Sequence, residues 1–369
     1  MLGLLAFIVA LLFLVLVHEW GHFFAARRLG VKVEEFGFGF PPRIAKKHWR
    51  GTDYTLNWLP FGGFVRLKGE DGESDASDSY ARQSAWKRLV IVLGGVVMNL
   101  LAAVVLLTIV LSIGVKKDVT EGVGSGAQVS DVEHYVVTVL PEAPADGKLL
   151  PGDVVLSIDG QTFSQLSDLQ QYVRESTTMV NVAVQRESEV VTIDLKPASF
   201  QVNDAEVYGM GTQLQSIGSV SYPWYLAPVE AVRMTGSTFA LIATTLGSMV
   251  GGLVQGQTDS VAEVTGPIGI AVLTGDVVTF GVVAFLQFVA LLSINLAFLN
   301  VLPIPALDGG RMAFILYEII ARRALSERAE ATLHRVGFSL LLLLIVAVTV
   351  ADIGRFSGTI IGAFKTLIF

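Results

Sequence analysis

The chain has 369 residues, of which 52% are hydrophobic and 16% charged, with a mean hydropathy of +0.60 and a formal net charge of -7. That is too apolar for an ordinary soluble enzyme of this length and points to a membrane protein. The absence of cysteine excludes disulfides, thiolate metal ligands and a cysteine nucleophile, and the basic residues, which membrane topology accounts for below, leave no footprint for nucleic acid.

The first element is an uncharged run from Leu2 to Val17 that continues toward Ala26, close to the roughly 20 residues a helix needs to cross hydrocarbon. No basic residue precedes it, and it runs into HEWGHFFAARR instead of a small-residue cleavage site, so a retained span is expected rather than a cleaved signal peptide. HEWGH, residues 18 to 22, matches H-E-x-x-H. Histidines at i and i+4 project from one helix face and can share a metal ion, for which zinc is the expected identity. His18 and His22 are therefore candidate ligands. Glu19 is the candidate general base, taking a proton from the attacking water and passing it to the leaving amine. Ionisable residues inside a span cost roughly 2.5–3.5 kcal/mol each on insertion scales and are functional by default. At about 1.5 Å per residue, His18 lies roughly 24 Å along the helix, toward its cytoplasmic end.

Residues 31–67, with VKVEEFGFGF and DYTLNWLPFGGFVRL, are rich in Gly, Phe and β-branched residues and read as short strands or hairpins. Coming directly after a span, their backbone groups must be paired within protein or with a bound substrate strand. A second apolar run covers Val90 to Val115, and Lys116 and Lys117 then lead into a Gly/Ser-containing linker, Thr120 to Ser130. From Asp131 to about Ala198 the sequence alternates as strands do, in YVVTVL, VVLSID, VNVAVQ and VVTIDL, with the helical SQLSDLQQYVRE between the second and third. Turns are set by Pro151 and Gly152 and by Asp159 and Gly160. The PGD…I.G pattern within APADGKLLPGDVVLSIDGQ resembles a PDZ domain. Such a domain binds a peptide as an added strand on a sheet edge, expected here near Tyr135 to Val139.

The third and fourth apolar runs are Phe280 to Leu302 and Val336 to Val350. NVLPIPALDGG, Asn300 to Gly310, places Asp308 immediately after the third, where Pro303 and Pro305 interrupt the helix. Broken backbone at membrane depth is tolerated where protein or a cavity satisfies it. A catalytic zinc needs three protein ligands. His48, His134 and His334 fall in a loop, in the β module and ahead of the last span, so Asp308 is the expected third ligand. Twelve of the 26 basic residues lie between Arg27 and Arg88 and five between Arg311 and Arg335. Those loops are expected to be cytoplasmic, with the acidic segment Asp118 to Glu206 and both termini on the outer side. Spans one and three then both run inward and bring Asp308 to the face of His18. A crossing by Thr238 to Val254 would break this parity, so that stretch is expected to lie along the interface or pack on the bundle.

HEWGH in the first span, the PDZ-like insert and NVLPIPALDGG after the third, with GPIGI at Gly266 to Ile270, resemble the site-2 protease family of intramembrane metalloproteases over nearly the whole chain. Within that family the chain is most similar to the bacterial regulator-of-sigma-E-protease branch. The resemblance implies cleavage of single-span membrane proteins, such as anti-sigma factors already trimmed by another protease or leftover signal peptides, in the bacterial cytoplasmic membrane. It implies zinc on His18, His22 and Asp308 and catalysis by Glu19. It also implies that Asn295 and Asn300 contact the substrate backbone, and that Phe36 to Phe40 and Phe61 to Val65 belong to a membrane-associated β-hairpin that pairs with an unwound substrate. One departure is that several relatives carry two PDZ domains in tandem, whereas the segment here holds one.

The expected fold is a polytopic α-helical membrane protein with about four transmembrane helices, a membrane-associated β-hairpin region and one inserted PDZ-like β domain. Its segments are a membrane core over 1–115, a linker over 116–130, the PDZ-like domain over 131–198, a connecting and interfacial helical segment over 199–278, and the rest of the membrane core over 279–369. Two competing readings are a non-catalytic membrane scaffold that captures peptides through the PDZ-like domain, and a membrane-anchored protease of soluble proteins outside the bilayer.

Overall fold

The structure is a computed structural model that describes residues 2–70, 76–202, 205–256, 265–323 and 326–368. Its elements in chain order are α1 (Leu2–Arg28), β1 (Val33–Trp49), β2 (Thr52–Leu67), α2 (Ala85–Ile113), β3 (Val115–Asp118), β4 (Gln128–Val139), β5 (Val154–Ile158), α3 (Leu166–Glu175), β6 (Val180–Arg186), β7 (Glu189–Leu195), β8 (Ala198–Val202), β9 (Ala205–Gly209), β10 (Thr212–Ser221), α4 (Ala227–Val254), α5 (Pro267–Thr279), α6 (Val282–Val301), α7 (Asp308–Ala321) and α8 (Glu327–Ile368). The chain forms two compact units, one of residues 1–108 and 228–369 and the other of residues 109–227.

Among the described residues four helices are long and apolar enough to cross a membrane: α1, α2, α6 and the Arg328–Ser357 part of α8. On α1 the buried residues Ala10, Leu14, His18 and Gly21 recur every three or four positions, which makes one stripe along the helix. The 238–254 stretch falls within α4, and Phe239 packs edge-on against Phe298 of α6 with ring centroids 5.2 Å apart. That contact joins α4 to α6 at this one position. The start of α5 is held by α8, whose buried Asp352 accepts the backbone N–H groups of Gly266 (3.1 Å) and Gly269 (2.8 Å). A carboxylate there satisfies two of the donors that every helix start leaves open.

Both β1 and β2 bend back on themselves. Residues 33–38 pair with 63–67 on one side and with 53–56 on the other, and 43–49 pair with 52–57 further out. The buried Glu35 at the centre is matched by Thr55 Oγ1 (2.8 Å), Arg43 (3.2 Å) and Arg66 (3.2 Å). This sheet sits on the helices through Ala26, Val31, Val33, Leu67 and Ile91. The outer edge of 63–67 is paired with no strand among the described residues.

The other unit is built on a six-stranded antiparallel sheet in the order β3-β10-β4-β5-β6-β7. Helix α3 buries Leu166, Leu169 and Val173 on one face, and the core continues through Val136, Leu149, Ile158, Val182 and Leu195. One expectation is corrected. Tyr135 to Val139 is no free edge, because β10 pairs with β4 from Gln128 to Val139 and β5 pairs with it at His134 and Tyr135. The strand that covers it arrives from residues 212–221, beyond the stretch whose alternation marked the module, and this long-range pairing leaves no local trace.

Asp153 of the PGD turn explains why that turn is acidic. Its buried carboxylate receives Arg186 Nε and Nη2, each at 2.8 Å, and the Leu150 N–H at 2.9 Å. The Arg186 hydrogen bonds hold its pKa below the ordinary carboxylate value. The stability so gained is present above the unfolded pKa of about 3.9 and is lost as pH falls through the lower folded value. Replacing Asp153 by Ala in the full chain is expected to destabilise this unit by about 2–3 kcal/mol, less than the roughly 3–5 kcal/mol of breaking a fully buried pair, because Arg186 keeps 31% of its side chain exposed. Hydrogen exchange of residues 180–195 at pH 7 checks this, and an unchanged exchange rate would contradict it.

Candidate active site

The uncharged sequence ahead of His18 makes α1 a continuous helix, and a continuous helix sets His18 and His22 one above the other. The rings meet edge-on with centroids 4.8 Å apart. From the other side comes Asp308, the first residue of α7, after Leu302 leaves helical geometry and Pro303 and Pro305 keep the chain out of it. His18 Nε2 lies 3.0 Å and His22 Nε2 3.2 Å from Asp308 Oδ2, and the two Nε2 atoms are 3.1 Å apart. Four-coordinate zinc with bonds of about 2.0–2.1 Å separates its ligand atoms by about 3.3 Å. The triangle is therefore the size that one such ion spans.

The chemistry of the donors also fits a cation. His22 Nδ1 faces the Ile91 carbonyl at 2.9 Å, and an oxygen acceptor there requires the proton on Nδ1, leaving the Nε2 lone pair directed at the triangle. Asp308 Oδ2 is buried with no hydrogen-bond partner. His18 Nδ1 lies 3.2 Å from the side-chain amide nitrogen of Asn99, whose Oδ1 is buried without a hydrogen-bond partner. A half-turn of that amide presents Oδ1 to His18 Nδ1–H and frees His18 Nε2 as a lone pair too.

Glu19 lines the same cavity, of about 370 Å³, with Phe64, Val65, Leu67, Glu70, Tyr80, Arg311 and His334. The edge of β2 runs past it, since a Cβ at Gly63 would stand 3.5 Å from Glu19 Cγ. Arg311 is ion-paired with Glu70, whose second oxygen accepts the Leu67 N–H at 3.2 Å, so the end of β2 is tied to α7. Burial pushes the Tyr80 phenol up to about 12, which keeps it a neutral donor.

Of the residues expected from sequence, His18, Glu19, His22 and Asp308 are brought together. Asn295 and Asn300 are not among the cavity-lining residues: Asn295 donates to the Leu291 carbonyl of its own helix at 3.2 Å, and Asn300 is buried in the last turn of α6. His334 stays outside the triangle but lines the cavity. His48 is exposed beside Asp53, and His134 bonds Ser216 and the Phe163 carbonyl in the β unit. Sequence reasoning missed Asn99, Glu70, Tyr80 and Arg311. An amide inside an apolar span was signal enough for Asn99, and the one-turn spacing from Asp308 could have drawn attention to Arg311.

Comparison with known proteins agrees with this geometry. The model of peptidase family M50 matches residues 6–344. The chain is similar to "Putative zinc metalloprotease CPE1693" of Clostridium perfringens, at 31% identity over 347 residues covering 92% of this chain and 95% of that protein. It is also similar to a "Putative zinc metalloprotease" of Helicobacter pylori strain J99, at 32% identity over 369 residues covering 95% of this chain and 99% of that one. Among solved structures, the PDZ domain of the SdrC-like protein of Listeria monocytogenes is 22% identical, covering 24% of this chain and 92% of its own with a TM-score of 0.21. The chain thus belongs to peptidase family M50, the site-2 protease family, and is a zinc metalloprotease of that family.

Proposed function

We propose that the protein is an intramembrane endopeptidase that binds Zn2+ through His18, His22 and Asp308 and hydrolyses peptide bonds in or near the transmembrane segment of single-span membrane proteins. The observation that carries this reading is the triangle of donor atoms 3.0–3.2 Å on a side, in a cavity that Glu19 also lines and beside an unpaired strand edge. When bound, zinc supplies a Lewis acid that makes water nucleophilic at neutral pH and polarises the scissile carbonyl. Glu19 takes the proton of the attacking water and returns it to the departing amine. The 63–67 edge pairs with an unwound substrate and exposes a carbonyl that a helix would keep hydrogen-bonded. Asn99 orients His18, and the Ile91 carbonyl orients His22. A substrate contact by Asn295 and Asn300 has only the family resemblance behind it.

The setting we propose is the bacterial cytoplasmic membrane, with the basic segments 27–88 and 311–335 facing the cytoplasm and the β unit with both termini on the other side. Anti-sigma-factor-like proteins and signal-peptide remnants are the substrate classes, so the activity would be regulated intramembrane proteolysis. A peptide or substrate segment would add to the β unit along 212–214 of β10, which β3 leaves uncovered by pairing only over 217–220, with α3 in contact with β10.

Cleavage of a single-span substrate by the detergent-solubilised protein tests the catalytic reading. Glu19→Gln is expected to keep its zinc and lose at least about 10²-fold in rate, while Asp308→Ala loses zinc and activity together. Wild-type rates in Glu19→Gln would sink the assignment and favour the peptide-capturing scaffold. Removing the orienting amide makes a separate prediction. Asn99→Leu is expected to weaken zinc binding by about 10–100-fold in chelator competition, and Asn99→Asp, which can still accept from His18, to restore most of it. Equal affinity in the two variants would contradict the role of Asn99.

A further inference from the structure

His334 stands about two turns into α8 and lines the cavity shared by His18, Glu19, His22 and Asp308. Its Nδ1 accepts the backbone N–H of Ala306 at 3.2 Å, and Phe314 meets its ring edge-on with centroids 5.4 Å apart. An acceptor at Nδ1 means that the neutral ring carries its proton on Nε2. Held at both the nitrogen and the ring, the imidazole has one donor left, and its direction is set. The contact also supports an unusual backbone. Ala306 has φ of 83°, a conformation that a residue with a Cβ seldom keeps unless its surroundings enforce it. Gly337, one turn further along α8, has Pro305 where a Cβ would stand, so α8 presses on this loop at two successive turns.

Resting on the endopeptidase reading, we propose that His334 is a catalytic residue whose Nε2–H donates a hydrogen bond to the oxygen of the scissile carbonyl as that oxygen becomes negatively charged. In the addition step the water oxygen bonds to the carbonyl carbon, the C=O π pair moves onto the oxygen, and Glu19 takes the water proton. In the collapse step the pair returns, the C–N bond breaks, and the amine leaves with the proton from Glu19. His334 keeps its own proton throughout and contributes a fixed dipole. A donor of this kind is worth most where water is excluded and the group need not reorganise. Of the other cavity donors, Arg311 is engaged by Glu70, and the Tyr80 hydroxyl is the competing candidate.

The test compares full-length wild type with His334→Asn, His334→Gln and Tyr80→Phe on a single-span substrate, measuring kcat, KM and zinc content, together with the Kd of a phosphinic peptide that mimics the tetrahedral state. Asn places Oδ1 near the position of Nδ1 and keeps the Ala306 contact but has no donor at Nε2, whereas Gln keeps a donor there and gives up the contact. His334→Asn is expected to hold full zinc, to change KM by no more than about 2-fold, and to lose about 10²–10³-fold in kcat. The phosphinic peptide should weaken by the same factor, since only interactions special to the transition state raise kcat. His334→Gln should recover part of the rate at a lower melting temperature. Wild-type kcat in His334→Asn, loss of zinc alongside the rate, or the same loss in Tyr80→Phe instead would overturn the proposal. Wild type that cuts no membrane substrate would sink the endopeptidase reading and this proposal with it, whereas equal cleavage by wild type and His334→Asn sinks this proposal alone.

Discussion

The active-site arrangement depends on how closely α1 and α2 approach. A Cβ at Gly21 would overlap the Gly94 carbonyl, one at Gly94 would lie 2.5 Å from the Gly21 oxygen, and one at Gly95 would lie 2.6 Å from His22 Nε2. Lipid tails are as apolar as leucine, so helices in a bilayer are not pressed together by the hydrophobic effect, and small residues that let backbones touch supply the packing. Here the touching backbones also set distances. They bring the Ile91 carbonyl within 2.9 Å of His22 Nδ1 and the Asn99 amide within 3.2 Å of His18 Nδ1. Moving the helices apart by the width of one methyl group would break both hydrogen bonds and free both rings to turn.

The same helix fixes the other half of the site. Leu89 and Val92 of α2 pack against Met312 and Ile315 of α7, and Arg88 pairs with Glu318 one turn further along. Asp308 begins that helix, so its carboxylate and the two imidazoles are measured from one rigid reference, α2. Two supports act on the segment in between: α8 at Ala306 and Pro305, and the Arg311–Glu70 pair that joins α7 to the end of β2. Each is a polar or backbone contact that could not stand alone in hydrocarbon. They hold because they are grouped around one cavity.

What could be read in the sequence follows from the range of the interactions. The spans declared themselves by uninterrupted apolar length, and His18, Glu19 and His22 by a five-residue spacing on one helix. Asp308 was legible because prolines and topology together left few positions for a third acidic or imidazole ligand. Asn99 and His334 were harder, since an amide in a span and a histidine ahead of one gain meaning only when α2 and α8 are known to face the same cavity. The pairing of β10 with β4 joins residues 73 to 93 positions apart, from Thr212 with Val139 to Ser221 with Gln128, and no turn signal or alternation spans such a gap. That is why Tyr135 to Val139 read as an edge when it is an interior strand.

On the proposed reading, the unpaired edge at 63–67 also determines what selects a substrate. A transmembrane helix keeps its carbonyls bonded four residues along, and where water is scarce those bonds are surrendered only for others. An edge strand offers that exchange, main chain for main chain, and the absence of a side chain at Gly63 lets a partner strand pass close to Glu19. Pairing of this kind reads backbone rather than side chains. Discrimination then falls on the cost of unwinding. A glycine inside a helix weakens it by about 1 kcal/mol relative to alanine and a proline by about 3, and the turn that carries such a residue is the first to exchange helix bonds for strand bonds. Substrate preference should therefore follow local helix stability near the cytoplasmic end of the substrate span more than the identity of any one side chain beside the cut.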